Sequence, residues 1–285
     1  MFFATFEAQR HEIGIQVGGS NLVSDIGMAE YINPVPQHGR TIATDNVPLY
    51  AALLYKYSFN PFQGIKLRAG YGYVAFNDRF SDENFRNERG NSGENEAYEL
   101  SAVFEYNLYP INEEQQELMW SPYIFGGIGG LMHSGKQITI ATDFNRDTDG
   151  QVILPSSPTD FQQETSYAMA HDKLTVAIPF GLGMKAKFNY RWTVFAEAMF
   201  RPTFTDQLDY STITEDDVKI TYNRDEKAPD SNKSLLQTDP YQSEIFKIRD
   251  AEIAKNQYGN LNSKDWLNSF SIGVSYSFGR CPCGK

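Results

Sequence analysis

The stretch that decides the fold is Asp265–Arg280, D-W-L-N-S-F-S-I-G-V-S-Y-S-F-G-R. Every second residue from Trp266 is apolar (Trp266, Phe270, Ile272, Val274, Tyr276, Phe278), broken only by Asn268. The residues between are Leu267 and then Ser269, Ser271, Gly273, Ser275, Ser277 and Gly279. Alternation with period two over this length describes a strand with one greasy and one polar face. Aromatics at both ends of the greasy face, with aliphatics between, give the profile of a strand that crosses a membrane. Such a strand cannot stand alone, because its edges would leave backbone groups unpaired in lipid. The rest of the chain is therefore expected to supply the strands that close a barrel.

Working outward, seven further stretches alternate in the same way. They are His11–Gly19, Pro48–Phe59, Ile65–Phe76, Ala97–Tyr109, the Gly-rich Pro122–Met132, Lys173–Phe188 and Trp192–Arg201. The connections after the second, fourth and sixth are short to moderate, beginning with the turn Asn60-Pro-Phe-Gln-Gly64. The other four are long and polar. Short turns on one side and long loops on the other are the pattern of bacterial outer-membrane barrels, with both termini in the periplasm. A soluble sandwich has no reason to sort its loops this way. The expected fold is all-β: an eight-stranded antiparallel up-and-down transmembrane β-barrel over residues 9–280. Residues 1–8 read as a leader or signal-peptide remnant, and 281–285 as a periplasmic tail holding both cysteines. Within the longest connection, Pro202–Lys264, Asp239-Pro240 is expected to start a helix that ends at Gly259.

Composition agrees. The chain has 285 residues, 36 acidic against 25 basic side chains and no apolar run long enough for a transmembrane helix. A net charge of -11 argues against nucleic acid as a partner. Seventeen Tyr and twenty Phe suit a barrel with aromatic girdles in contact with membrane lipid.

Eight strands leave an interior just wide enough for side chains to fill, so a wide diffusion pore is not expected. The inward set carries charges, and charges in a dry lumen need partners. Lys56, Arg68 and Glu105 are expected at similar depth on three neighbouring strands, with Lys185 and Glu197 placed alike across the turn between the sixth and seventh. A structural ion-pair network is the expected role, ahead of a proton or substrate path.

Several stretches resemble the PorG family of small outer-membrane barrels from Bacteroidota. They include Gly18–Gly27, Tyr55–Pro61, Tyr98–Tyr106, Ser121–Gly129, Ala177–Lys185 (A-I-P-F-G-L-G-M-K) and Arg201–Asp209 (R-P-T-F-T-D-Q-L-D). The resemblance runs from Glu12 to Arg280, and the order of the stretches carries it more than any one of them. It implies a non-enzymatic component of the type IX protein secretion system. Such a barrel sits in the outer membrane and associates with the periplasmic ring of the lipoprotein PorK and its partner PorN. The connection Pro110–Ser121, with Glu113, Glu114 and Glu117, is the first place to expect that contact.

Three short features stand apart. Cys281 and Cys283 flank Pro282 just after the last strand, and on this topology they face the oxidising periplasm. Two cysteines so close make a strained local bridge, which leaves open an intermolecular disulfide to the ring lipoprotein, a metal-binding pair or an unpaired tail. Asp143, Asn145, Asp147 and Asp149 alternate ahead of Gly150 and resemble a calcium loop. The bidentate Glu of an EF-hand is missing, and a solvated acidic loop is the alternative. His171, Asp172 and Ser134 bracket one long connection, but nothing in their spacing demands catalysis, and no enzyme is expected. A surface adhesin or ligand-binding barrel using the Tyr- and Asp-rich loops is the alternative function.

Overall fold

The computed structural model describes residues 10–34, 48–111, 118–145, 147–149, 153, 157–188, 191–222, 235–260 and 262–278. Ten strands form: β1 (Arg10–Val23), β2 (Leu49–Ser58), β3 (Gln63–Asn77), β4 (Ser92–Asn107), β5 (Met119–Asp143), β6 (Gln162–Ala177), β7 (Phe180–Lys187), β8 (Trp192–Phe200), β9 (Val218–Tyr222) and β10 (Trp266–Phe278). Among the described residues they are accompanied by the α-helices α1 (Asn84–Arg89) and α2 (Tyr241–Lys255). None of the described helices is long and apolar enough to cross a membrane.

Eight strands pair antiparallel in the order β1-β2-β3-β4-β5-β7-β8-β10, and β10 returns to β1. The ring is an eight-stranded up-and-down barrel, and closure leaves no edge for lipid to meet. The last pairing sets Ile13 against Tyr276, Ile15 against Val274 and Val17 against Ile272, so both greasy faces point the same way. That way is outward: Ile15, Leu53, Leu100, Ile128, Leu182 and Ile272 are all more than half exposed. Exposed aliphatics all round a closed antiparallel ring are the lipid face of an outer-membrane-type barrel. Aromatics gather at its two ends. One girdle holds the contacts Tyr57–Phe59, Phe62–Tyr106, Tyr109–Trp120 and Trp192–Tyr276. The other holds Tyr71–Tyr98 and Tyr31–Trp266.

Asn268, which breaks the alternation of β10, is fully buried although it sits on the outward set. Its amide donates to the carbonyls of Tyr31 (2.8 Å) and Asn33 (3.3 Å), and Asn21 on β1 also donates to Asn33 (2.8 Å). The segment after β1 therefore folds back over the end of β10. Helix α1, in a stretch read as polar loop, holds the same segment from another side. Arg86 donates to the carbonyls of Ser24 and Gly27, and Arg89 joins Asp78 to the carbonyl of Asp25.

Two of the expected barrel strands differ in extent from the sequence expectation. The sixth strand, read as continuous over Lys173–Phe188, is interrupted between Ala177 and Phe180. Pro179 has no N–H to give to the ladder, and only its carbonyl is used, by the Gly127 N–H at 2.9 Å. Strand β5 runs past the expected end at Met132 to Asp143.

Residues Ser134–His171 and Tyr210–Leu261 form a compact unit of their own. In it β9 runs parallel to β5, Ile138 opposite Val218 and Thr142 opposite Tyr222. Ile138, Ile140, Ile213 and Val218 make one small core with Ile248 and Ile253, and Phe144, Leu236 and Ile245 make a second. Helix α2 begins after Asp239-Pro240 as expected, but ends at Lys255, short of Gly259. It is fixed to the strands of the unit by Lys136 donating to Asn256 (2.5 Å) and the Tyr167 hydroxyl to Glu252 (2.9 Å).

Candidate functional site: a charged, filled lumen

The alternation that faces aliphatics outward turns the intervening residues of every strand into the barrel. Small residues there make room for large ones. A Cβ on Gly70 would lie 2.9 Å from the Tyr50 hydroxyl, and Gly183 leaves the space that the Tyr123 ring fills. Between these rings lies a chain of buried charges.

The five charged residues picked out in the sequence all lie in this lumen, joined by others. Glu105 on β4 forms ion pairs with three ammonium groups, those of Lys56 (2.9 Å), Lys66 (2.8 Å) and Lys185. Lys56 also reaches Glu12 at 3.4 Å, whose other oxygen accepts from Ser275 at 2.9 Å. Lys66 also reaches Glu197 at 2.5 Å, and Glu197 accepts from Arg68 and the Tyr123 hydroxyl, both at 2.7 Å. A further pair joins Arg201 to Glu99 at 2.5 Å, with Ser101, Tyr50 and Ser269 donating or accepting around it. Aromatic faces take what the carboxylates leave: Lys185 lies 4.1 Å from the Tyr123 ring centre and Lys66 lies 5.2 Å from that of Phe195.

The pairing was not legible in the sequence. Lys185 pairs with Glu105, and Glu197 with Lys66 and Arg68, across the lumen and not along the hairpin. The backbone register places Lys56 opposite Lys66 and Glu105 opposite Gly64. Strand tilt and long side chains carry the contacts away from these partners. Glu12, Lys66, Glu99 and Arg201 went unselected, although each lies in the inward phase of its strand or at its end. The signal was present as a charge at an otherwise Gly, Ser or Ala position.

The barrel rim outside the strands carries a second buried cluster. Asp265, fully buried, accepts from the Leu208 N–H at 2.8 Å through one oxygen, and its other oxygen has no hydrogen-bond partner among the described residues. Burial, with the Asp209 and Asp206 carboxylates nearby, pushes its carboxyl well above the usual range. Ser263 donates to both Asp25 and Asp206, and the Ile26 N–H donates to Asp209.

The remaining sites are placed as follows. Cys281 and Cys283, the leader 1–8 and residues 112–117 of the acidic connection lie outside the described residues. Asp143 is buried and accepts from the Phe144 N–H, Asn145 donates to Asp160, and Asp147 accepts from the Asp149 N–H. No group of three or more Asp, Glu, His or Cys that could hold a metal is present among the described residues. The side chains of His171 and Asp172 are not described, while Ser134 is buried.

A family model for a domain of unknown function, DUF6089, matches residues 1–159, and the chain belongs to that family. No curated protein matches the chain. Among solved structures it is similar to Ail, the attachment invasion locus protein of Yersinia pestis, crystallised with the heparin analogue sucrose octasulfate. That match has 12% identity over 96% of this chain and 100% of that one, with a TM-score of 0.35. Neisserial surface protein A is 8% identical over 95% and 97% of the two chains, with a TM-score of 0.36. The outer membrane protein AlkL, determined in lipid bilayers, is 11% identical over 100% and 97%, with a TM-score of 0.34. The ring of strands, not these likenesses, is what makes the fold a barrel.

Proposed function

We propose that this DUF6089 family member is a non-enzymatic outer-membrane component of the type IX protein secretion system. In this reading both termini lie in the periplasm, and the barrel anchors the PorK/PorN ring at the outer membrane. The observation that carries the reading is the filled lumen. A barrel whose interior is packed with paired charges offers no passage for a polypeptide, so its usable surfaces are its two ends. The ordered resemblance to PorG barrels assigns the periplasmic end to the ring. The acidic residues Glu113, Glu114 and Glu117 would steer a basic lipoprotein surface and set its orientation, and Cys281 or Cys283 would add a covalent link.

A specific observation favours a second reading. The separate unit built from Ser134–His171 and Tyr210–Leu261 has its own cores and would suit a surface adhesin or ligand-binding barrel. A gentle detergent pull-down through a tag on the tail, with and without reductant, separates the two. The secretion reading expects a ring lipoprotein to co-purify, with a covalent band that reductant removes. A clean monomeric barrel after crosslinking would sink it and favour the adhesin.

A further inference from the structure

The apolar belt of the barrel is not level around the ring. On β4 the outward apolar set runs from Leu108 to Tyr98 and then gives way to Glu96 and Glu94. The Tyr98 and Tyr73 hydroxyls donate to these two carboxylates. On β7 and β6 the outward set runs from Phe188 through Ile178 and Val176 to Leu174. That is about four residues further, or roughly 10 Å of height at ordinary strand rise and tilt. In the ring, β8 and β10 continue the tall side, and β3 and β4 lie across from them.

The tall side ends in a connected apolar patch. The Phe204 N–H donates to the Val176 carbonyl at 3.1 Å, and Pro202 pairs with Trp266. The Trp266 ring lies 5.3 Å from that of Tyr31 and 6.0 Å from that of Phe180, which belongs to the lipid face. Leu174 is 78% exposed and Phe204 63%, so neither is covered. A cation stands at the top. Lys264 is exposed, while Asp265 between it and Trp266 is buried. The Asp265 backbone pairs with Thr203 and Thr205, and alternation along this extended segment sets Lys264 and Trp266 on the outer side together.

We propose that this patch binds an anionic membrane lipid, with its acyl chains on Leu174, Val176 and Phe204 and its phosphate on Lys264. The Trp266 indole and the Tyr31 hydroxyl sit between the two, where amphipathic rings face chain on one side and headgroup on the other. Continuity with the lipid face brings acyl chains to the patch without any further protein. An apolar surface standing above the rest of the belt has to be covered, and chains that climb it do so at modest cost. The ammonium group then selects a phosphate. Across the ring, Glu94 and Glu96 stand where the belt ends and disfavour the same headgroup. The site belongs to the barrel wall and stands whether or not the barrel serves secretion.

The test uses the full chain in phosphatidylcholine vesicles. Trp120→Phe with Trp192→Phe leaves Trp266 as the one tryptophan and keeps a ring at both girdle positions. Phosphatidylglycerol or phosphatidylcholine with the same brominated chains is then titrated in, and quenching of Trp266 fluorescence is read. Phosphatidylglycerol is expected to bind about fivefold more tightly, the factor that one lysine near an anionic headgroup supplies. Lys264→Gln, at an exposed position, is expected to fold, seen as the compact band of an unheated barrel on a gel, and to bring the two lipids to equality. Equal quenching by both lipids in the parent would overturn the proposal, as would a preference for phosphatidylglycerol that survives Lys264→Gln. Weak quenching by either lipid together with a crosslinked dimer would overturn it too, and would assign the patch to a second copy of the chain.

Discussion

Glu105 is the residue on which the lumen turns, because one buried carboxylate serves three ammonium groups. Glu105→Gln leaves those groups facing a neutral amide in a low-dielectric interior. The expected loss of stability is about 3–5 kcal/mol in urea unfolding, the range for stripping one partner from a buried ion pair. A loss below about 1 kcal/mol would mean that the network relaxes easily and does not hold the barrel closed. Asp265 gives a prediction of opposite character. Its carboxyl is held protonated above the usual range, so the folded state keeps a proton that the unfolded chain releases. Stability from this group is therefore full below the ordinary carboxylate range and falls as pH rises toward the raised value. The slope is at most about 1.4 kcal/mol per pH unit for one proton. Asp265→Asn keeps an acceptor for the Leu208 N–H and removes the ionisation. It is expected to flatten this slope and to be at least as stable as the parent at pH 8. An unchanged pH profile would show that Asp265 ionises freely. At this scale the sequence was half legible. A charge in the inward phase of a strand announces itself, as Lys56 and Glu105 did. Its partner is chosen by strand tilt and side-chain reach across the lumen, which no local pattern encodes.

At the scale of elements, alternation located every barrel strand, because lipid on one side and a packed lumen on the other impose period two throughout. The departures have local causes. Pro179 interrupts a pattern that stays regular in side chains but lacks a backbone donor. Asn268 interrupts the pattern in side chains, and the structure shows why: its amide ties the carbonyls of Tyr31 and Asn33 to β10. Replacing it with Val would perfect the alternation and remove both hydrogen bonds. At about 1 kcal/mol for each bond, Asn268→Val is expected to speed proteolysis within Met28–Asn33 about thirtyfold while the barrel stays folded. Equal cleavage rates would mean that the segment is held by α1, the Asn21 amide and the Tyr31–Trp266 contact without Asn268. The elements missed from sequence were α1 and, in the separate unit, β9, whereas the start of α2 was expected. Helix α1 is six residues long and strand β9 five. Signals so brief drop below those of the barrel strands, and the parallel pairing of β9 with β5 depends on residues far apart in the chain.

At the scale of the whole molecule, a closed ring with an aliphatic outer face, two aromatic girdles and a lumen filled by ion pairs describes an anchor better than a conduit. The fold was legible because the membrane writes the same constraint on every strand. The proposed function rests on an ordered resemblance, since the alternation that marks the strands says nothing of what the barrel binds. The proposed anchoring role is tested at one end of the barrel. The most direct measurement places a photocrosslinking amino acid at Glu114, in the acidic connection between β4 and β5, and in parallel at Tyr167, in the separate unit, in living cells. The secretion account predicts an adduct with a ring lipoprotein from position 114 and none with it from position 167. Adducts from position 167 alone, with a surface or extracellular partner, would contradict it and leave the adhesin in its place.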